Sequence, residues 1–312
     1  MSEPTIERYH GRTLPNRMAT IVAATRPAFL TASVLPVLAA GALSAQIGQS
    51  PIWQPLLMLA AIAIALIHAS ANVLNDYFDA VSGNDAANTA FVHPFSGGSR
   101  FIQNEVLSER EMLGIGIVLM VAGVALGLAI VWLTGPMLLL LGIAGTLLAI
   151  LYSSPPCLAC RGLGDLVIGV CFGILPVAGT TLILTGGVPE AAWWLGGVIA
   201  CFVAAILWVN SIPDIAADRA AGKMTLPARL GATRAALVFP LWFLAGFVIL
   251  LLSPLPRETW VALLAAVPAV IASRAAIAGQ LIPAMPLTIM THAAVSVLLT
   301  AGLLAEIGRA HV

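Results

Sequence analysis

Two clusters of Asp and Asn residues stand where long apolar segments of this chain end. The first is Asn75-Asp76-Tyr77-Phe78-Asp79, and the second is Asp214-Ile215-Ala216-Ala217-Asp218. Only 14 of the 312 residues are Asp or Glu, and carboxylates at membrane depth cost stability that a structural role does not require. Because carboxylate oxygens are ligands that Mg²⁺ prefers, the clusters predict a metal site. The alternative is that they only end helices in water, where Asn and Asp are common.

Helical spacing places the polar residues of each cluster on one face of a helix. The first face carries His68, Asn72, Asn75 and Asp79, and close to them Asp76. The second face carries Asn210, Asp214 and Asp218. Two such faces opposite each other would line a substrate cavity with oxygen ligands, and Mg²⁺ would bridge them to a phosphorylated substrate. His68 either contacts that substrate or only hydrogen-bonds a neighbouring helix.

Cationic residues in the loops after the clusters complement this negative charge. Gly97-Gly98-Ser99-Arg100 offers backbone N–H groups that approach a phosphate closely, with Arg100 to pair with it. Arg219 and Lys223, the only lysine of the chain, lie beside the second cluster. A metal with neighbouring cations predicts a diphosphate site. A third loop, which contains Arg161, either closes over this site or is a rigid turn whose Arg sets topology.

Cysteine spacing gives no second metal centre. Cys157-x-x-Cys160 resembles half of a zinc site, but no second Cys/His pair accompanies it. We expect these two cysteines to be reduced thiols in a cytoplasmic loop, and Cys171 and Cys201 to lie inside membrane helices.

The elements that must position these residues are membrane helices. Sixty percent of the residues are hydrophobic and 9% are charged, a composition that excludes an ordinary soluble domain. Nine apolar stretches are long enough to span a bilayer as helices, each with about 17 to 25 residues. They lie near 28 to 46, 55 to 78, 112 to 133, 136 to 152, 165 to 185, 192 to 213, 235 to 253, 259 to 279 and 287 to 307. We therefore predict an all-α polytopic bundle, a single domain over 1–312 whose residues 1–19 form a polar cytoplasmic segment without a removable signal peptide.

The distribution of basic residues predicts the orientation of this bundle. With the N-terminus in the cytoplasm, only Arg257 and Arg309 lie outside. The inner segments then contain Arg8, Arg12, Arg17, Arg26, Arg100, Arg110, Arg161, Arg219, Lys223, Arg229, Arg234 and Arg274. This asymmetry follows the positive-inside rule and places both Asp-containing loops in the cytoplasm and the C-terminus outside. We expect a bacterial-type inner membrane, contact with membrane lipid and no nucleic-acid partner.

Several of these segments, in order along most of the chain, resemble the UbiA superfamily of intramembrane aromatic prenyltransferases. They are Arg26-Pro27, Asn75 to Asp79, Gly97 to Arg100, Arg161-Gly162-Leu163-Gly164-Asp165 and Asp214 to Gly231. Gly83-Asn84-Asp85 and the stretch from Gly222 to Gly231 are most similar to the dihydroxynaphthoate branch of menaquinone synthesis.

The resemblance implies a nine-helix bundle that transfers a polyprenyl group from its diphosphate to an aromatic acceptor, with the isoprenoid tail directed toward lipid. Asp76, Asp79, Asp214 and Asp218 would be the catalytic carboxylates, and with Asn75 they would bind Mg²⁺. Lys223 and Arg219 fall on diphosphate-contacting positions. The acceptor would be 1,4-dihydroxy-2-naphthoate, and alternatives within the superfamily are 4-hydroxybenzoate and homogentisate.

Two other classes of protein share some of these features. A secondary transporter also carries intramembrane carboxylates, but usually near the bilayer midplane rather than at helix ends. A non-catalytic lipid-binding scaffold would not need paired Asp clusters. The transferase is the hypothesis that explains the clusters and the cations together.

Overall fold

The protein forms helices joined by loops in the computed structural model, which describes residues 3–9, 13–48 and 55–310. Within these ranges there are nine long apolar helices, as predicted, and no strand. They are α1 Pro27–Gln46, α2 Pro55–Val81, α3 Glu109–Thr134, α4 Leu138–Ser153, α5 Gly164–Thr185, α6 Glu190–Ser211, α7 Ala232–Leu252, α8 Arg257–Ile277 and α9 Leu281–Ala310. Eight of the nine described helices have at least 18 residues, and α4 is shorter. Arg12 lies outside the described residues, and the polar N-terminal segment contributes the helix Leu14–Ala24.

The core of the bundle is built around α6. Leu195, Ile199 and Phe202 of this helix are fully buried, and they pack with residues of α1, α5, α7, α8 and α9. Helices in a membrane associate through close packing rather than through exclusion of water, so small residues at their crossings matter. At the crossing of α5 and α6, a Cβ on Gly173 would lie only 2.5 Å from backbone atoms of Ala200. Gly173 therefore allows the two backbones to approach.

The helix α4 is packed differently from α6. None of the described residues of α4 is buried, whereas its neighbours α2, α3 and α5 each have buried core residues. An apolar cavity of about 400 Å³ lies between these four helices. The short α4 thus forms an outer wall rather than part of the core.

Two loops at one end of the bundle carry the residues of interest. After α2, Gly83 adopts a left-handed conformation and the short helix Asn84–Ala87 begins. The returning chain enters α3 through a capping box between Ser108 and Glu111. The helix α6 ends at Ser211, two residues before Pro213, which cannot continue its hydrogen bonding. Both clusters therefore lie at helix ends, next to these loops.

The expectation of reduced thiols in the third loop is wrong, because Cys157 and Cys160 form a disulfide. A 3₁₀ turn over Ala159–Arg161 follows the first cysteine. This turn brings the two Cα atoms to 5.2 Å, which is within the range that a disulfide spans. Cys171 and Cys201 are free and lie in α5 and α6, as predicted.

The close crossing of α5 and α6 predicts that Gly173→Leu destabilises the protein. The new side chain would overlap the backbone of α6, and such overpacking costs about 1 to 3 kcal/mol. We expect a lower melting temperature in detergent, measured by intrinsic fluorescence. Gly114→Leu on α3 is the control, because no described atom lies within 4 Å of the Cβ position there. Equal melting temperatures for the two variants would contradict this account of the crossing.

Candidate active site

A polar chamber of about 190 Å³ lies beneath the loops that follow α2 and α6. It brings the two predicted polar faces together. Its walls include His68, Asn72, Asn75, Asp79, Asn210, Asp214, Asp218 and Lys223. Asp76 lies directly behind this wall and is 2% exposed. The sequence-predicted clusters thus share one site.

Lys223 joins the two clusters. Its ammonium donates to both carboxylate oxygens of Asp79, each at 2.9 Å. Asn75 also donates to Asp79, at 2.9 Å, and itself accepts from Ser153 of α4 at 2.8 Å. The only lysine of the sequence therefore neutralises the carboxylate at the end of α2.

The second cluster is held by neutral donors instead. Asn88 donates to Asp214 at 2.7 Å, and Asn84 donates to Asp218 at 3.2 Å. The other oxygen of Asp214 accepts from the backbone of Gly97 at 3.3 Å. These bonds orient the carboxylates without cancelling their charge.

Asp76 and Asp85 converge on the glycine turn. The backbone N–H of Ser99 donates to Asp76 at 3.0 Å, and Gln103 donates to Asp85 at 3.2 Å. A Cβ on Gly98 would lie 2.9 Å from Asp85 and 3.0 Å from Asp76. Gly98 also has a φ of +73°, so glycine is required here both for its conformation and for the close approach of two carboxylates.

Burial of these carboxylates away from water makes their charge costly. Burial raises the pKa of Asp85 to about 8, and the Asp79 and Asp76 carboxylates add to this shift. Burial also raises the pKa of Asp218 to about 6, although the Lys223 ammonium opposes the shift. For Lys223, burial alone would lower the pKa, but Asp79 and Asp218 outweigh it and the net pKa is raised. The chamber therefore favours a bound cation.

The donor set fits Mg²⁺ held jointly with a substrate. Among the described residues, no three His, Cys, Asp or Glu side chains are placed to hold a metal ion by themselves. Mg²⁺ does not need such a cage, because it commonly binds one or two carboxylates, several waters and substrate phosphates. One oxygen of Asp76 and the Oδ1 of Asn210 are buried without a described hydrogen-bond partner. Unpartnered oxygens beside the carboxylates are what such a hydrated cation requires.

The other three predicted cations lie outside the described lining of the chamber. Arg100 stacks on Phe91 at 4.2 Å and donates to the backbone of Asp85. Arg161 donates to the backbone of Pro156. Arg219 donates to the backbone of Ala228. In this conformation all three fasten loops rather than face the cavity.

The predicted polar residues deeper in the chamber also have partners. His68 makes a 3.0 Å hydrogen bond with Ser33 of α1 and its ring lies 4.2 Å from that of Phe172. Asn72 donates to the backbone of Thr25 at 3.0 Å. His68 therefore bonds a neighbouring helix and lines the cavity at the same time.

Sequence reasoning on the two clusters missed several residues of the chamber wall. They are Arg26, Asn84, Asp85, Asn88, Tyr152 and Asp165. Arg26, Asn84, Asp85 and Asp165 lie in segments that carry the family resemblance, which was the available signal. Asn88 had none, because its contact with Asp214 spans 126 residues of chain.

The apolar cavity adjoins the chamber that contains the two clusters. The two share the lining residues His68, Ala71, Ala149, Cys171 and Phe172. Beyond these residues the walls are almost entirely aliphatic or glycine. A molecule with a charged head and a long apolar tail would match this combination.

Comparison with known proteins agrees with this geometry. The model of the UbiA prenyltransferase family matches residues 33–284. The 1,4-dihydroxy-2-naphthoate octaprenyltransferase of Mycobacterium tuberculosis is 31% identical over 247 residues, covering 75% of this chain and 78% of that protein. The protein of the same name from Escherichia coli is 29% identical over 238 residues, covering 74% of this chain and 69% of that protein.

Solved structures show the same fold. A UbiA homolog from Aeropyrum pernix, in its apo structure, has a TM-score of 0.63 at 22% identity and covers 89% of this chain and 98% of its own. A UbiA homolog from Archaeoglobus fulgidus, bound to GPP and Mg²⁺, has a TM-score of 0.59 at 17% identity, covering 92% and 99%. With the family match over most of its length, this chain belongs to the UbiA prenyltransferase family and is a prenyltransferase.

Proposed function

We propose that this protein catalyses the Mg²⁺-dependent transfer of a polyprenyl group from polyprenyl diphosphate to 1,4-dihydroxy-2-naphthoate in menaquinone biosynthesis. The observation that carries this proposal is that a chamber containing the two carboxylate clusters shares a wall with an apolar cavity. The naphthoate relatives support the choice of acceptor. Family membership leaves no reason to retain the transporter or scaffold hypotheses.

The carboxylates of the two clusters would hold the metal. These carboxylates would be Asp76, Asp79, Asp214 and Asp218, joined by the amide oxygen of Asn75. When bound, Mg²⁺ would neutralise charge that develops on the departing diphosphate. Lys223 lines the chamber and would add a second positive charge on the diphosphate once its bond to Asp79 is exchanged.

The remaining predicted cations do not line the chamber in this conformation. Arg100, Arg161 and Arg219 would reach the diphosphate only if their loops leave the contacts described above. Arg26, which sequence reasoning on the clusters missed, already lines the chamber. One end of its guanidinium donates to the backbone carbonyls of Pro94 and Phe95, each at 3.1 Å, while its Nε is buried without a described partner. We propose Arg26 and Lys223 as the first cations that a substrate in the chamber meets.

The apolar cavity would hold the isoprenoid tail and exclude water. Loss of diphosphate favours an allylic carbocation at the end of the tail, and water would quench it. A carbon of the electron-rich acceptor ring would then bond to that carbon. The ring would regain aromaticity by losing the carboxylate of 1,4-dihydroxy-2-naphthoate as CO₂. His68 lines both the chamber and the apolar cavity, and Asn72 and Asn210 also line the chamber, so we place the acceptor beside these three residues.

We propose that the loops of the chamber face the cytoplasm, because the basic residues are concentrated at that end of the helices. Cysteine-accessibility labelling of intact cells tests this orientation. A single Cys introduced at position 95 or 222 should react only with membrane-permeant reagents, and a Cys appended to the C-terminus should react with impermeant ones. Reaction of a Cys at position 222 with impermeant reagents would show the opposite orientation.

The function itself predicts Mg²⁺-dependent prenylation of 1,4-dihydroxy-2-naphthoate by the purified protein in detergent. We expect chelation to abolish turnover and Mg²⁺ to restore it. The donors around the second cluster are neutral or carry a single charge, and they leave part of the negative charge of its carboxylates uncompensated. The measurement is transfer of a radiolabelled polyprenyl group, with 4-hydroxybenzoate and homogentisate as competing acceptors. Asp218→Ala, checked for monodisperse elution, should lose at least about a hundredfold in rate. Full turnover after exhaustive chelation would overturn the metal proposal, and preference for 4-hydroxybenzoate would overturn the acceptor.

The tail cavity predicts a change in donor preference for Gly142→Phe on α4. No described atom lies within 4 Å of the Cβ position of Gly142, which lines the cavity. The larger side chain therefore fits without moving the helices but fills the path of the tail. We expect kcat/KM for an octaprenyl donor to fall about tenfold or more relative to geranyl diphosphate. Gly114→Phe on α3 is the control, because its open Cβ position lies outside the lining of the cavity. An unchanged ratio in Gly142→Phe would place the tail elsewhere.

A further inference from the structure

Two asparagines on one turn of the loop after α2 face the two aspartates of the second cluster. Asn84 and Asn88 are four residues apart, at the two ends of the short helix Asn84–Ala87. Asp214 and Asp218 are also four residues apart. Residues at this spacing lie above one another on a helical turn, so the two pairs can match. The distances are 2.7 Å from Asn88 to Asp214 and 3.2 Å from Asn84 to Asp218.

The orientation of the Asn88 amide is fixed by a second bond. Its Oδ1 accepts from the backbone N–H of Ala90 at 3.3 Å, so its NH₂ group is the end that faces Asp214. Asn88 is 4% exposed, as is Asn84. With both ends engaged, Asn88 has little freedom to rotate and holds the carboxylate that it contacts. The Oδ1 of Asn84 is buried without a described partner, so Asn84 is held through its bond to Asp218.

The chemistry of these donors differs from that of Lys223. An ammonium cancels the charge of Asp79, whereas a neutral amide fixes the position of a carboxylate and leaves its charge available. Each carboxylate of the second cluster gives one oxygen to an asparagine. Its other oxygen accepts at 3.3 Å, from the backbone of Gly97 for Asp214 and from the hydroxyl of Thr225 for Asp218. The hydroxyl of Ser96 also hydrogen-bonds the Asp214 carboxylate. A cation can displace such long contacts at small cost.

We propose that Asn84 and Asn88 are positioning residues that hold Asp218 and Asp214 in the orientation that binds a metal-diphosphate. This inference rests on the proposed function, because it assigns the two aspartates to the metal site. Neither asparagine is a metal ligand in this account. Groups that orient metal ligands commonly contribute about 10- to 100-fold to metal affinity.

The test uses Asn84→Leu and Asn88→Leu, which keep side-chain size and remove the amide. Binding of Mn²⁺ in the presence of inorganic pyrophosphate is measured by electron paramagnetic resonance on the full-length protein in detergent, without turnover. We expect each variant to bind Mn²⁺ about 10- to 100-fold more weakly. The Mg²⁺ concentration for half-maximal prenyl transfer should rise in parallel, while kcat at saturating Mg²⁺ stays within about threefold.

Asn104→Leu is the matched control, since this asparagine lies in the same loop but donates to Glu3 and the backbone of Pro4. Metal binding should be unchanged in it. If the leucine variants do not elute as folded protein, we replace them with Asn84→Ser and Asn88→Ser, which retain a hydroxyl donor. We expect the serine variants to lose Mn²⁺ affinity as well.

The outcomes separate this inference from the proposed function. If the wild type transfers prenyl groups and the folded variants bind Mn²⁺ with unchanged affinity, only the positioning role is overturned. A fall in kcat at saturating metal with unchanged affinity would also overturn it. If the wild type does not transfer prenyl groups but the variants still bind Mn²⁺ more weakly than it does, the positioning role is supported and the proposed reaction is overturned.

Discussion

Negative charge buried in a small chamber is the constraint that the rest of this site must satisfy. Asp76, Asp85 and Asp218 are each at most 3% exposed, and unpaired carboxylates in such surroundings lose several kcal/mol of hydration. One lysine compensates Asp79. The others accept hydrogen bonds from backbone N–H groups and neutral side chains, and Lys223 also acts on Asp85 and Asp218 through its charge. The loops over the chamber donate hydrogen bonds to these carboxylates. They therefore fold back over the helix ends instead of extending into solvent.

The position of this charge in the bundle determines what the site can bind. The clusters lie at the ends of α2 and α6, where a charged head group can enter from water, and the apolar cavity begins one or two helical turns deeper. The helix α4 forms one wall of the cavity, and its described residues are all at least partly exposed. A helix without buried residues is held by few contacts and can adjust to its neighbours. Under the proposed function, the tightly packed end around α6 would hold the charged part of the substrate, and α4 would border its apolar part.

Sequence predicted the helices and both clusters because their signals are local. Apolar length located all nine spans, and the spacing of Asn75 and Asp79 located one polar face. The contacts between loops had no local signal. Asn88 and Asp214 are far apart in the chain, and their pairing depends on how two loops fold over one cavity. The disulfide was missed for a different reason, since compartment rather than loop geometry guided the expectation of free thiols.

Contacts between the clusters also make each depend on the other. Lys223 follows the second cluster but bonds the first, and Asn84 follows the first cluster but bonds the second. A bound cation near Asp214 and Asp218 would repel the Lys223 ammonium and weaken its hold on Asp79. Asp79 would then be free to join the metal site while Lys223 turns to the incoming diphosphate. Under the proposed function, these two crossed contacts would couple substrate entry to assembly of the complete set of ligands.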